Sequence, residues 1–113
     1  MFNAKTWSEE TKQKVWAKAQ IVGTNDPKVW RKDMAGAWIK YEDYGKTTSK
    51  TGNGWEIDHK KPEAKGGSDN LDNLQPLQWK NNRTKNDDYL GFKTSISSDG
   101  TKNIYKEQSW RFN

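Results

Sequence analysis

A chain of 113 residues without a cysteine has the length of one domain and holds neither a disulfide framework nor a cysteine-ligated zinc. Val, Ile, Leu and Phe number only 15, a share that alone leans toward disorder, but seven tryptophans, each burying ~150–250 Å² when packed, supply a small aromatic core instead. The net charge of +5 and pI near 9.4 favour a polyanionic partner such as nucleic acid without requiring one, and no apolar run approaches membrane-spanning length.

The expected elements follow in chain order. Thr6 and Glu9 have capping-box spacing, and Val15, Ala19 and Val22 recur at helical intervals up to Gly23, so a first helix is predicted over about residues 8–21. Asp26 as N-cap and Pro27 at the first helical position open a second one over about 27–41, with Trp30, Met34, Ala37, Trp38 and Tyr41 as its stripe and a break near Gly36. Tryptophans at such spacing are core far more often than base-stacking platforms, and all seven are assigned to the core. The Gly-rich run 45–54 reads as a surface loop. Near the end, "FKTSISSDGTKNIYK" alternates around Ser-Asp-Gly and predicts a hairpin of roughly 92–97 and 102–106.

The chemistry is concentrated in "GWEIDHKKPEAKGGSDNLDNLQPLQWKNNRTKNDD", residues 54–88, which contains the chain's single histidine, His59. Residues 55–58 read as a short strand that must end before Pro62, since proline cannot donate to a ladder. Neighbours on a regular strand point to opposite faces, so Asp58 and His59 converge on one site only if the strand end is frayed or twisted. Gly66 and Gly67 are free to take positive φ in the following loop. "NLQPL" is a second short strand or a turn, with Pro76 demoting it to an edge. Residues 78–88 suit a short helix on which Asn82, Lys85 and Asn86 share a face.

This order of strand, loop, strand and helix resembles the HNH nuclease motif, the ββα-metal or His-Me finger fold. The resemblance rests on Asp58-His59, on Asn73 in "NLQPL" and on Asn82 in "NNRTK", together with the run "DHKKPEAKGG". The order "WRKD", "GAWI", "YG", "GWEIDH" over residues 30–59 is also similar to that of small bacterial and phage members. The resemblance implies an α+β chain, a single domain over 1–113. Its ββα-metal core spans about 54–88, braced by N-terminal helices within about 8–41 and by a C-terminal hairpin over about 92–106.

By the same resemblance, His59 is the general base that takes a proton from the attacking water, a task that suits an imidazole because histidine is ordinarily largely neutral near pH 7. Asn73 hydrogen-bonds the loop backbone so that His59 is aimed at that water. Asp58 and Asn82 hold one divalent cation through oxygen, for which Mg²⁺ or Mn²⁺ is the hard-ligand choice. Lys85, Lys60, Lys61, Arg83 and Arg31 are the expected phosphate contacts. Two departures stand out: the motif's last letter is Asn82 rather than His, and Gln78 and Asn81 occupy the places of the first two cysteines with which many members hold structural zinc, so no structural zinc is expected.

The implied activity is metal-dependent hydrolysis of phosphodiester bonds in DNA with little sequence preference. The alternatives are a nucleic-acid-binding or phage packaging-accessory module retaining the fold, or an RNA-cleaving toxin. DNA is the expected partner, RNA remaining open, along with an immunity protein or a packaging partner; no membrane partner is expected. With no apolar h-region near the N-terminus the default location is cytoplasmic, specialised secretion remaining open. Oligomeric state is not legible. Taken singly, each site residue has a bland explanation: a surface histidine, an aspartate paired with Lys60 or Lys61, a turn asparagine, a solvated helix asparagine. Only their joint register favours a site.

Overall fold

The computed structural model describes residues 5–111. The first helix, α1 (Glu9–Trp16), is shorter than expected and is capped differently: Ser8 Oγ accepts from the Thr11 amide at 3.1 Å, so Ser8 and not Thr6 is the cap. It ends early because the chain beyond it finds another partner. Gln20 exchanges two backbone hydrogen bonds with Lys32, at 2.8 and 3.0 Å, which pulls residues 19–21 out of helical register.

The second expected helix is a hairpin. Asp26 does act as a cap, its Oδ1 accepting from the Lys28 amide at 2.9 Å, but the helix lasts a single turn. The chain then runs into β1 (Trp30–Lys32) and β2 (Trp38–Lys40), antiparallel, with Trp30 opposite Lys40 and Lys32 opposite Trp38. The reversal is built by Asp33 and Gly36. Asp33 Oδ1 accepts from the amides of Ala35 and Ala37 at 3.0 and 2.9 Å, and Gly36 takes φ of +89°, where a Cβ would lie 2.9 Å from Ser97 Oγ. Lysine ammoniums lie over the indoles, Lys32 over Trp38 at 4.8 Å and Lys40 over Trp30 at 5.4 Å, so the tryptophan stripe belongs to a strand pair.

A 3-10 turn at Tyr41–Asp43 and the expected loop lead to β3 (Trp55–His59), which pairs antiparallel with β4 (Leu74–Gln78) in a two-stranded sheet. Pro76 is accommodated because β4, among the described residues, has no strand on its other side. Gln78 ends β4 and caps α2 (Trp79–Lys85), its side-chain oxygen accepting from the amides of Lys80 and Asn81 at 2.8 and 3.0 Å. Asn86, at φ of +53°, closes the helix. The terminal hairpin is longer than expected, β5 (Gly91–Asp99) and β6 (Lys102–Arg111), with a register shift between Thr94 and Ile96.

The core explains how so few aliphatic residues suffice. Val15, Trp16, Ala19, Ile39, Trp55, Ile57 and Leu74 form one buried cluster, with Trp7, Tyr41 and Tyr44 packed against it. Trp55 is fully buried, with the rings of Trp16 and Tyr44 at 5.2 and 4.9 Å. The indole N–H groups tie down neighbouring backbone: Trp16 donates to Pro27 O at 2.8 Å, Trp38 to Gly100 O at 2.7 Å, Trp55 to Tyr41 O at 3.0 Å and Trp79 to Ser49 O at 2.7 Å. The assignment of all seven tryptophans to the core is too broad. Trp16, Trp38, Trp55 and Trp79 are buried, whereas Trp7, Trp30 and Trp110 are half-buried.

Candidate active site

Asp58 and His59 close β3 with 5% and 8% exposure, so the single histidine is not a surface residue. No fraying is needed for this. The strand is regular through His59, which pairs with Leu74, and the two side chains approach one cleft with different supports. The cleft is about 700 Å³ and its wall includes Glu56, Asp58, His59 and Asn82, with Lys5 and Trp7 from the segment before α1.

Asp58 is held from α2 and β4. Its Oδ1 accepts from Lys85 Nζ at 3.2 Å and its Oδ2 from Gln75 Nε2 at 2.9 Å. Burial pushes this carboxyl above the ordinary 3.8, while the Lys85 ammonium and the Gln75 amide pull against that rise. Asn82, on α2, donates its amide nitrogen to Glu56 Oε1 at 3.0 Å, which leaves its carbonyl oxygen as the group offered to a ligand.

His59 is held from the other side. Its Nε2 lies 2.7 Å from Asp69 Oδ1, and the Trp7 ring sits 5.7 Å from the imidazole, centre to centre. Lys5 Nζ contacts Asp69 at 2.7 and 2.8 Å and Glu63 at 2.9 Å, holding the Asp69 carboxyl below its ordinary value, with the imidazole adding to the effect. Both acids belong to the loop between β3 and β4, and Asn73 ties that loop. Its Oδ1 accepts from Lys61 N at 2.9 Å, and its Nδ2 donates to Lys61 O at 3.0 Å and to Ser68 O at 2.8 Å. The Gly-Gly pair works in two ways: Gly66 takes φ of +90°, whereas Gly67 is required by close approach, since a Cβ there would meet Lys61 O at 1.7 Å.

The expected phosphate contacts divide. Lys60 and Lys61 are exposed. Lys85 is not available, contrary to expectation: it is fully buried, its ammonium shared among Asp58 Oδ1, His59 O at 3.1 Å and Lys60 O at 3.3 Å. Arg31 is likewise drawn inward, donating through Nε to Pro27 O at 2.9 Å and through Nη1 to Ala17 O and Ala19 O, each at 3.1 Å. Arg83 donates to Glu56 Oε2 at 3.1 Å and lies over the Trp79 ring.

Two donor sets can be considered for a cation. Asp58 and Asn82 line one cleft, and each Asp58 oxygen retains a lone pair beyond its hydrogen bond, although the Lys85 ammonium already sits on Oδ1. His59, Glu63 and Asp69 also have ligand atoms within 4.8 Å of one another, and there the Lys5 ammonium already sits on both carboxylates. Sequence reading did not find Asp69, Lys5, Trp7 or Gln75. The only local sign of Asp69 is its place next to the Gly-Gly turn.

The HNH endonuclease family model matches residues 45–88, which span the loop before β3 through the end of α2. A search of the curated proteins and one of the solved structures return no match.

Proposed function

With residues 45–88 an HNH endonuclease segment, we propose that the chain is a divalent-metal-dependent endonuclease that hydrolyses phosphodiester bonds in DNA with little sequence preference. One observation carries this reading: Asp58, His59 and Asn82, drawn from a strand end and a helix, meet on a single cleft with the imidazole almost withdrawn from solvent. A binding module has no use for a buried base beside paired oxygen donors.

In this reading β3, β4 and α2 are the ββα-metal unit, and α1, the first hairpin and β5–β6 brace it. His59 takes a proton from the attacking water as that oxygen bonds to phosphorus and the bond to the leaving 3′ oxygen breaks. Asp58 and Asn82 would hold a Mg²⁺ or Mn²⁺, which when bound would supply polarisation of the scissile phosphate and charge stabilisation at the leaving oxygen. Lys60 and Lys61, exposed just beyond His59, meet neighbouring phosphates, a contact that reads charge and not base identity.

The test is incubation of supercoiled plasmid, and of RNA in parallel, with Mg²⁺ or Mn²⁺. Wild type nicks DNA, a chelator stops it, and His59→Ala lowers the rate at least a hundredfold, the lower range for losing a general base, ~10²–10⁴. Cleavage of RNA alone moves the substrate to the runner-up reading. Binding without cleavage of either, or equal cutting by His59→Ala, refutes the assignment.

A further inference from the structure

We propose that Asp69 is a positioning residue for His59: it accepts the Nε2 hydrogen and so leaves Nδ1 as the nitrogen that takes the proton from water. The proposal rests on the nuclease reading above and adds to it a residue outside the Asp58, His59, Asn73 and Asn82 set.

Asp69 accepts only, so at 2.7 Å from Nε2 it fixes the hydrogen on that nitrogen, and a neutral imidazole then carries its lone pair on Nδ1. The contact is anchored at both ends. The imidazole lies beside the Trp7 ring, and Asp69 sits on a loop fixed at Lys61 and Ser68 by the two hydrogen bonds that Asn73 donates and the one that it accepts. Asn73 therefore acts on His59 at one remove, by placing the loop that carries Asp69. Lys5 keeps Asp69 charged and holds it in place against Glu63, which ties the segment before α1 to the orientation of the base. With Asp69 truncated, the ring keeps its packing against Trp7 but loses the hydrogen bond that selects its rotation about Cβ–Cγ.

Steady-state cleavage is measured for wild type, Asp69→Ala, Asp69→Asn and His59→Ala at saturating metal. The expected result is a kcat at least about tenfold lower in Asp69→Ala with KM unchanged, the scale for losing the partner that orients a functional histidine, ~10–100-fold. Asp69→Asn, whose amide oxygen still accepts, recovers most of that loss. Because His59 is the chain's single histidine, a nitrogen-15 spectrum of the imidazole, taken in chelator, reports it without ambiguity. Wild type shows an exchange-protected Nε2–H signal, and Asp69→Ala loses it. Wild-type kcat in Asp69→Ala, with His59→Ala inactive, overturns the proposal and leaves the nuclease reading standing, as does a wild-type spectrum with the hydrogen on Nδ1. A wild type that cuts neither nucleic acid refutes the nuclease reading and this proposal with it.

Discussion

A lysine without exposed side chain must spend its charge inside the protein, and Lys85 does so on Asp58 Oδ1 and the carbonyls of His59 and Lys60. It therefore pins the turn that leaves β3 as well as the carboxylate itself. Truncating one partner of such a pair leaves the other buried and uncompensated, at a cost of ~3–5 kcal/mol. Lys85→Met should lower the unfolding free energy measured by urea titration by that amount, whereas Lys60→Met, at an exposed position, should barely move the midpoint. Equal midpoints would show that Lys85 adds nothing to the fold. At this scale the legible residues were those whose spacing is local to the motif: Asp58, His59, Asn73 and Asn82 lie in one cleft or in the loop beside it. Lys85 was misplaced because helical facing says which residues are neighbours and not which side of the helix is covered. Asp69 and Lys5 were missed because their contacts span 10 and 64 positions of sequence and depend on how the loop closes.

Between elements, the region 27–41 shows why a period can mislead. Trp30, Met34, Ala37, Trp38 and Tyr41 satisfy a helical stripe, while Trp30, Lys32, Trp38 and Lys40 satisfy strand alternation on two short runs. The deciding signal was the turn: Asp33 with Gly36 three residues later is the chemistry of a tight reversal, and it outweighs a stripe in which the cap at Asp26 supports only one turn. The same region contains a pH-sensitive link between elements. The Tyr41 hydroxyl donates to the Glu9 carboxylate of α1, and burial first, then Glu9, pushes the phenol from 10 up to about 12. A folded value above the unfolded one favours the protonated form in the fold. The contribution is complete below pH 10 and is lost as pH rises to about 12. Wild type should therefore lose stability relative to Tyr41→Phe, which cannot ionise, as pH rises over that window, and the difference between their urea midpoints should change accordingly. A gap that is constant with pH would show that the hydroxyl does not titrate with folding.

For the molecule as a whole, the question is what joins the three two-stranded sheets of the described residues, and the joint lies at Gln78 and Asn81. Gln78 caps α2 with its oxygen and donates through its amide nitrogen to Lys50 O at 2.9 Å and Gly52 O at 3.0 Å, fastening the long loop. Asn81 accepts from the amides of Ser95 and Ile96 at 2.9 and 2.8 Å and donates to Ile96 O at 2.9 Å and Asp33 Oδ2 at 3.0 Å. Asp33 in turn accepts from the Gln78 amide at 2.9 Å and closes the β1–β2 turn, so one buried network reaches two hairpins, α2 and the end of β4. The absence of cysteine was plain in the sequence, but not this replacement, because two amides gain such a role only when the carboxylate of Asp33 and the bulged part of β5 come to meet them. A joint made of hydrogen bonds should ignore chelators and be sensitive to its own atoms. Thermal unfolding in excess chelator should match that in buffer without added divalent ions, where the proposed active-site ion does not contribute. Asn81→Ala, which strands the buried amide of Ile96 at roughly 1–3 kcal/mol and the half-buried one of Ser95 at less, should lower stability by about 2 kcal/mol or more and do so identically with and without chelator. A midpoint that falls in chelator would point instead to a structural ion, and an Asn81→Ala protein as stable as wild type would mean that packing around α2, and not this network, joins the sheets.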